Sequence, residues 1–521
     1  MGLGGALLAV VLLGVVFPRE PVYQGRRLSV WLREVPPFGA GFSDPNQPAK
    51  RVLQHVGTNA IPFLMELLQA RDPQWKVDGV RWLENRYDVN FTTTLAEVKR
   101  EQAVNGFFAL GRIAEPAIPE LSALVTGPDK GDALYALAAL QAIGGPQTMP
   151  VVFSVLTNDD SFLREGALRY VGNFRSQARA AVPLLVKNLD ANEKSVRASA
   201  ASALGQIGLE PELAVPALIQ CLAVETGGVR REAVLALAAF GTNAIAALPA
   251  LRALAESPDE ELRRAARVAV VRVQCELRDG AIIRGPKDQK RLALVFTGHE
   301  YGEGGETILN ELAKHQGRAS FFLTGAFLTN SAFTKLVRRM QEERHYLGPH
   351  SDQHLLYCSW DSGRTNLVTE EEFQKDLAAN VAKLPAAPEG FRRFSRYFLP
   401  PYEHYNRDIA DWTRASGWTL INYTPGTRSH ADYTGEADKN FVSSQKTFDS
   451  ILARERDDPN GLNGFLLLLH VGCGPGRADK FPARFGELLD VLVGRGYQFV
   501  RVDELLRPPR DPNFSGGGFR R

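Results

Sequence analysis

Histidines and a glutamate stand where three apolar, strand-like segments end in the second half of this 521-residue chain. The first segment ends in His299 and Glu300, the second leads into His350 and His354, and the third, a run of four leucines, ends in His470. Imidazole and carboxylate groups bind divalent metals and transfer protons. In a parallel β/α barrel, functional residues lie at the carboxyl ends of the strands. The pattern therefore predicts a hydrolase site in a barrel-type domain.

His350 and His354 have the spacing of two metal ligands. Residues four apart on one helical turn face the same side, so both imidazoles would reach one ion. Two histidines and one carboxylate leave positions open for water and a substrate oxygen. We expect His470 to face a pocket rather than the core, because burying an unpaired polar group costs about 1–3 kcal/mol.

Alternating strands and helices must position these residues. From Leu292 onward, seven strand-like segments alternate with helical segments, which favours a parallel (β/α)7 barrel, here a distorted one. The expected strands are 292–297, 319–323, 346–349, 397–400, 419–423, 465–469 and 498–502. The expected helices are 306–314, 332–343, 370–384, 407–416, 443–456 and 483–495.

The first half of the chain is a repeat array. Five prolines recur at spacings of 31, 33, 33 and 33 residues, and each opens an apolar helical segment. They are Pro119, Pro150, Pro183, Pro216 and Pro249, with an earlier copy at Pro62. Glycines such as Gly144, Gly208 and Gly241 follow the helices that precede these prolines, an asymmetry expected of helix starts and ends. A fixed period with two helices per unit predicts an α-solenoid.

Composition divides the chain into five segments. The apolar or glycine run from Gly2 to Phe17 is shorter than the roughly 20 residues of a membrane span, and it predicts a signal peptide or an N-terminal membrane anchor. The predicted segments are this leader at 1–20, the solenoid at 21–275, a linker at 276–290, the barrel at 291–507 and a disordered tail at 508–521.

Charge and cysteine content argue against two classes of function. With 61 basic and 59 acidic residues the formal net charge is +2, which provides no electrostatic reason to expect a nucleic-acid partner. No two of the four cysteines have CxxC spacing, so a zinc knuckle or a thioredoxin-like motif is not expected. Cys473 follows His470 by three residues, but its glycine-rich surroundings favour a loop thiol over a nucleophile.

The repeat array resembles the HEAT-repeat family over roughly residues 45–275. The resemblance lies in a Val-Arg pair followed by an alanine-rich first helix, as in residues 196–205, and in a proline-led second helix. It implies a scaffold that offers a curved surface to a protein partner and takes no part in catalysis.

The segment from Leu292 to Leu506 resembles the polysaccharide deacetylase family, the NodB-homology or carbohydrate esterase family 4 group, through five ordered motifs. The second motif, His-[Ser/Thr]-x-x-His, is intact from His350 to His354, and the fifth, Leu-x-x-His, ends in His470. The resemblance implies that His350 and His354 bind a metal. It also implies that His470 is the general acid that protonates the leaving amine.

The first motif departs from the family. Its Thr-Phe-Asp-Asp-Gly pattern supplies a base and a metal ligand, and both aspartates are absent here. With one inserted residue, His299 takes the position of the base and Glu300 that of the ligand, or the two exchange roles. An ungapped alignment places Thr297 and Gly298 there instead and fills neither role.

The third and fourth motifs are also altered. The family's Arg-x-Pro-Tyr-Gly lacks its arginine here, and Glu403 replaces the glycine. The resemblance still implies that the backbone N–H of Tyr402 helps to form an oxyanion hole. The segment that lines the groove in the family has no clear counterpart. Asp432, His404 and His430 are candidate groove residues, with solvated loop positions as the alternative.

The resemblance implies a metal-dependent hydrolase of non-peptide carbon–nitrogen bonds, which removes N-acetyl or O-acetyl groups from a polysaccharide or amino-sugar glycan. The metal would be Zn²⁺ by preference, with Co²⁺, Fe²⁺ or Ni²⁺ as alternatives, and no other cofactor is expected. The predicted location is outside the cytoplasm, in the periplasm or cell envelope. One alternative is a catalytically inactive glycan-binding scaffold, favoured by the lost aspartates and arginine; another is an amidase for a different acyl group.

Overall fold

The computed structural model describes residues 20–34, 48–87, 95–225, 227–386 and 396–507. The chain divides into two compact units, residues 1–207 and residues 208–521. The predicted leader, apart from Glu20, and the predicted disordered tail lie outside the described residues. In the described ranges, none of the helices combines the length and apolar character that crossing a membrane requires.

In its described residues, the first unit contains helices and an antiparallel hairpin of β1 (Val22–Tyr23) and β2 (Arg26–Arg27). Several of its helices are linked by short 3-10 turns. The helices are α1 (Leu28–Arg33), α2 (Pro48–Val56), α3 (Ile61–Leu68), α4 (Gln74–Tyr87), α5 (Ala96–Leu110), α6 (Ile118–Val125), α7 (Lys130–Ile143), α8 (Met149–Val155), α9 (Ser161–Val171), α10 (Val182–Asn188) and α11 (Lys194–Ile207).

Local sequence explains where these helices begin and end. The second position of four helices is a proline: Pro62 in α3, Pro119 in α6, Pro150 in α8 and Pro183 in α10. A backbone N–H at this position has no acceptor within the helix, so proline, which lacks the N–H, loses no hydrogen bond there. The Asp160 carboxylate accepts hydrogen bonds from two N–H groups in the first turn of α9. The two-helix repeat expected from the proline spacing is confirmed for this unit.

The second unit opens with four more repeat helices, α12 (Pro211–Val224), α13 (Gly227–Ala238), α14 (Leu248–Leu254) and α15 (Glu260–Arg272). Pro249 opens α14 as predicted. The prediction for Pro216 is wrong, because α12 begins at Pro211 and continues through Pro216. The fixed φ angle of Pro211 suits the first turn of a helix, so α12 begins there. Pro216, five residues later, then lies inside the helix instead of at its start.

The segment for which we predicted a linker, 276–290, contains an antiparallel hairpin of β3 (Glu276–Arg278) and β4 (Ala281–Arg284). All four residues of β4 are buried. Val271 and Cys275, at the end of the repeats, share a hydrophobic core with Ile282 of β4 and with Leu466. Glycine and charge in this segment suggested a linker, but its short apolar run is buried against the last repeat helix.

Five strands of the second unit form a parallel sheet, in which the order is β10-β5-β6-β7 and β11 pairs with the beginning of β5. The strands are β5 (Arg291–Gly298), β6 (Ser320–Leu323), β7 (Tyr346–Pro349), β10 (Leu466–His470) and β11 (Gln498–Val500), and a separate parallel pair consists of β8 (Tyr397–Phe398) and β9 (Thr419–Leu420). The helices among them are α16 (Gly305–Lys314), α17 (Gly325–Thr329), α18 (Thr334–Glu342), α19 (Glu370–Lys383), α20 (Arg407–Ala415), α21 (Ser444–Asp457), α22 (Pro482–Gly494) and α23 (Val502–Leu505).

All seven expected strands are therefore present, the fourth, fifth and seventh shorter than expected by two or three residues and the second by one. Backbone hydrogen bonds made by residues that follow β8 and β9 reach the two edges of the sheet. Leu399 N–H donates to the Pro349 carbonyl at 3.4 Å, and Thr424 N–H donates to the Leu466 carbonyl at 3.0 Å. Closure of the seven strands into a barrel stays a prediction.

A buried ion pair ties β4 to the loop before β10. Arg284 is 2% exposed, and its Nη1 lies 2.7 Å from Asp458 Oδ2. We expect Arg284→Met to lower the free energy of unfolding by about 3–5 kcal/mol, because Asp458 then keeps only Arg454 as an ion-pair partner and the carbonyls of Gly461 and Asn463 lose their donor. Urea unfolding followed by tryptophan fluorescence measures the change. Arg456→Met, which removes a largely exposed arginine paired with Asp457, is the control and should change nothing; equal losses in both variants would contradict the role of the buried pair.

Candidate active site

The carboxyl ends of β5, β6, β7 and β10 lie at one edge of the sheet. Thr297 pairs with His470, Gly298 with Leu323, and Leu323 with Pro349. The residues that follow the first three strand ends are His299, Thr324 and His350. In-register parallel pairing thus brings together side chains that lie about 170 residues apart in sequence.

A cavity of about 250 Å³ opens at this edge. All six residues assigned to the site from sequence line it: His299, Glu300, His350, His354, Tyr402 and His470. The structure adds Thr297, Tyr301, Glu403, Tyr433, Gly472 and Cys473 to the lining. The residues are brought together as expected, while the role of each stays a prediction.

His350 is held rigidly and is 2% exposed. Its backbone N–H donates to Asn380 Oδ1 at 2.8 Å, and its Nδ1 lies 2.9 Å from the Leu399 carbonyl oxygen. Because a carbonyl only accepts, Nδ1 carries the proton and Nε2 carries the lone pair. Burial lowers the pKa of His350 well below its ordinary value, so the ring is neutral.

His354 approaches His350 without the helical turn expected from the sequence. Ser351 and His354 both adopt left-handed backbone angles, with φ of +73° and +55°. The two imidazole centroids are 5.3 Å apart, and His354 also stacks on His299 at 4.2 Å. Burial, followed by the proximity of His299, lowers the pKa of His354 to about 3, so this ring is neutral as well.

The altered first motif is divided between the strand and the loop after it. Thr297 lies in β5 beside His470, and its buried Oγ1 has no hydrogen-bond partner among the described residues. His299 Nδ1 lies 3.1 Å from Thr324 Oγ1, and burial lowers the pKa of His299. The Glu300 side chain is 64% exposed at the rim of the cavity.

Glu403, which replaces the glycine of the third motif, extends its side chain toward the same cavity. The side chain is 11% exposed, and Oε1 lies 4.0 Å from His350 Nε2. Burial raises the pKa of Glu403 to about 7. No role was assigned to Glu403 from the sequence. The signal that could have found it is the replacement of the motif glycine by a charged residue.

His470 is paired with a buried carboxylate. Its Nδ1 lies 2.6 Å from Asp432 Oδ1, and its backbone N–H donates to Asp432 Oδ2 at 3.0 Å. Burial alone would lower the pKa of His470, but the charge and hydrogen bond of Asp432 outweigh it and the pKa is raised. Asp432 is 3% exposed, so this candidate groove residue is not a solvated loop position.

The two candidate groove histidines, His404 and His430, do not line the cavity. His404 Nε2 lies 2.9 Å from the Ser359 carbonyl oxygen, and its ring stacks on Trp360 at 4.0 Å. His430 stacks on Tyr423 at 4.7 Å. Both act as packing partners of aromatic rings.

The chemistry of the site suits a divalent metal. Neutral imidazoles next to carboxylates are the donors that zinc binds. In the part of the chain that the structure describes, no three acidic, histidine or cysteine side chains are already placed to hold one ion. The rings of His299 and His354 are stacked, with centroids 4.2 Å apart and an interplanar angle of 21°. His350 and His354 fit as ligands, with the third assigned from sequence to Glu300.

Comparisons with known proteins identify both parts of the chain. A family model described as HEAT repeats matches residues 118–205 and 182–271, and one described as Polysaccharide deacetylase matches residues 284–421. An uncharacterized 30.6 kDa protein of Geobacillus stearothermophilus is 33% identical over 230 residues, which cover 44% of this chain and 75% of that protein. The chain belongs to the polysaccharide deacetylase family.

Other curated relatives of this family member are named as deacetylases. A peptidoglycan-N-acetylglucosamine deacetylase of Bacillus cereus is 22% identical over 44% of this chain and 72% of its own length. One from Listeria monocytogenes is 26% identical over 42% of this chain and 39% of its own length. The HEAT repeats lie outside the polysaccharide deacetylase match, and so does His470.

Solved structures of carbohydrate esterase family 4 are similar to the same part of the chain. One from Bacillus subtilis is 21% identical, covers 43% of this chain and 84% of its own, and has a TM-score of 0.34. A family pseudoenzyme from Bacillus anthracis is 18% identical, covers 45% of this chain and 72% of its own, and also has a TM-score of 0.34. At these values the likeness decides nothing about activity.

The His470–Asp432 pair predicts a titration that can be measured directly. Asp432→Asn should lower the pKa of His470, because the negative charge that stabilises the imidazolium is removed. Any step that needs protonated His470 would then be lost at a lower pH than in the parent chain. NMR titration of the His470 ring measures the shift. Asp457→Asn, a change of an exposed carboxylate, should leave the titration unchanged; an unaltered His470 pKa in Asp432→Asn would contradict the pairing.

Proposed function

We propose that this protein removes N-acetyl groups from an amino-sugar glycan, with O-acetyl ester cleavage as a variant of the same chemistry. The observation that carries the proposal is that an intact His-x-x-x-His pair and an aspartate-held histidine face one cavity. The deacetylase family of the domain and the names of its relatives support it. The reaction would be hydrolysis of a non-peptide carbon–nitrogen bond.

His470 is suited to protonate the departing amine. Asp432 occupies its Nδ1, which leaves Nε2 as the nitrogen that can deliver a proton into the cavity. The raised pKa keeps the ring protonated to a higher pH than an isolated histidine. A general acid needs both properties.

His350, His354 and Glu300 would hold a divalent metal, with zinc preferred. When bound, such an ion stabilises negative charge that develops on the substrate oxygen. Neutral His350 and His354 leave their lone pairs available for ligation. The backbone N–H of Tyr402 would donate to the same oxygen. The sequence assigns the proton acceptor to His299, which its lowered pKa keeps neutral.

Exposed aromatic rings around the cavity support a glycan as the substrate. Tyr402 is 46% exposed, and the ring of the 63% exposed Trp360 lies 6.2 Å from it. Tyr301 and Tyr433, which also line the cavity, are exposed as well. Large exposed rings beside a cavity offer apolar surface on which the faces of sugar rings can pack.

We propose that the HEAT repeats bind a protein partner and that the chain acts in the periplasm or cell envelope, exported or held at the membrane by its first residues. The peptidoglycan substrates named for the relatives support this location. We also propose that the seven strands close into a distorted (β/α)7 barrel, which the parallel pairing of five of the strands supports.

The second candidate function is a glycan-binding protein without turnover. In the ungapped alignment of the first motif, Thr297 and Gly298 at the end of β5 stand where the family has a base and a ligand, and neither can fill those roles. An inactive member would keep the aromatic surface and the repeats and lose hydrolysis.

Metal content and acetate release, measured on the full-length chain, separate the two functions. For the parent chain we expect about one bound metal and acetate release from acetylated chito-oligosaccharides or peptidoglycan fragments. His350→Ala and Glu300→Ala should each lose both, because each removes one ligand. Glu487→Gln, an exposed carboxylate on α22, should lose neither. Glycan binding without acetate release from the parent chain would establish the second function.

Trp360→Ala tests the aromatic surface. We expect a rise in KM of about tenfold for oligosaccharides that reach this ring, a loss of about 1.4 kcal/mol of binding, with kcat unchanged. Steady-state kinetics on a series of chain lengths measures it. Trp75→Ala removes a tryptophan of the first unit that is 75% exposed and should leave KM as it is; an unchanged KM in Trp360→Ala at every chain length would contradict the proposed surface.

A further inference from the structure

Glu403 places a carboxylate where the altered first motif leaves none. Thr297 and Gly298 occupy the end of β5, and Glu300 is largely exposed at the rim. The Glu403 side chain lines the cavity, is 11% exposed, and faces His350 Nε2 at 4.0 Å. Among the described residues that line the cavity, Glu403 therefore provides a buried carboxylate that faces the unprotonated Nε2 of His350.

The backbone of Glu403 is strained, which indicates that its side chain has a function. Tyr402 and Glu403 have φ of +58° and +52°, the left-handed region that glycine adopts without strain. The family motif has glycine at the position of Glu403. A glutamate there is strained, since its Cβ crowds the backbone in this region. Strain of this kind is typical of residues held for function.

The distance between Glu403 and His350 is longer than the distance between two ligands of one metal ion. Two ligands about 2.1 Å from one tetrahedral ion lie about 3.4 Å apart. The observed 4.0 Å exceeds this separation, so Glu403 lies beside the ligand His350 without the spacing of a second ligand.

We propose that Glu403 is the proton acceptor that activates water in this site, in place of the absent first-motif aspartate. The proposal rests on the deacetylase function above and replaces the assignment of this role to His299. The ring of His299 is stacked on His354, and its Nδ1 is engaged with Thr324.

The step balances with the residues present. The Glu403 carboxylate takes one proton from water while the water oxygen bonds to the acetyl carbon, and the carbonyl π electrons move to the carbonyl oxygen. When the carbon–nitrogen bond breaks, the nitrogen keeps the electron pair and takes the Nε2 proton of His470. Acetic acid then ionises, and transfer of the Glu403 proton through solvent to His470 restores both groups.

Glu403→Gln and Glu403→Gly in the full-length chain test the proposal. Both should keep the metal content of the parent chain and its affinity for an acetylated chito-oligosaccharide, and both should lose acetate release by about 10²–10⁴-fold. Glu403→Gly should also unfold at the same or a higher temperature, because glycine relieves the strained backbone. His299→Gln should lose at least tenfold less activity than Glu403→Gln.

Each other outcome overturns the proposal in a recognisable way. Loss of metal in Glu403→Gln would make Glu403 a ligand, not a proton acceptor. Near-parental acetate release in Glu403→Gln, with a larger loss in His299→Gln, would return the role to His299. A parent chain that binds the glycan and releases no acetate would overturn the deacetylase function together with this role. Glu487→Gln is the matched control and should behave as the parent chain does.

Discussion

In-register pairing of the parallel strands β10, β5, β6 and β7 is the constraint on which the site depends. Parallel strands that end together present the residues that follow them at one edge of the sheet. Thr297 beside His470 and Leu323 beside Pro349 set this alignment. A shift of one residue would turn alternate side chains from the cavity to the opposite face, so the site and the buried faces of the strands require the same register.

Burial of polar groups in the wall of the cavity determines their protonation. The histidines of the second motif are neutral because their surroundings cannot solvate a charge, and the same effect raises the pKa of Glu403. Only His470 is shifted the other way, because Asp432 provides a negative charge at 2.6 Å. The same cavity thus contains neutral imidazoles at His350 and His354 and a proton donor at His470.

The two parts of the chain differ in the range of the contacts that form them. A repeat helix packs mainly on its sequence neighbours, so proline and glycine spacing was enough to predict the solenoid. The seven strands were likewise predictable from apolar runs and their flanking turns. The hairpin in 276–284 was not, because its place depends on a bridge between Arg284 and Phe465, nearly two hundred residues away in sequence.

The sequence by itself determined the helical repeats, the strand positions, the family resemblance and the six residues that line one cavity. Tertiary structure decided three things that no local pattern contains. Asp432 became the partner of His470, the left-handed angles of Ser351 and His354 replaced an expected helical turn, and Glu403 entered the cavity opposite His350. Each depends on the distance and burial of groups remote in sequence, and these exist only once the strands have paired.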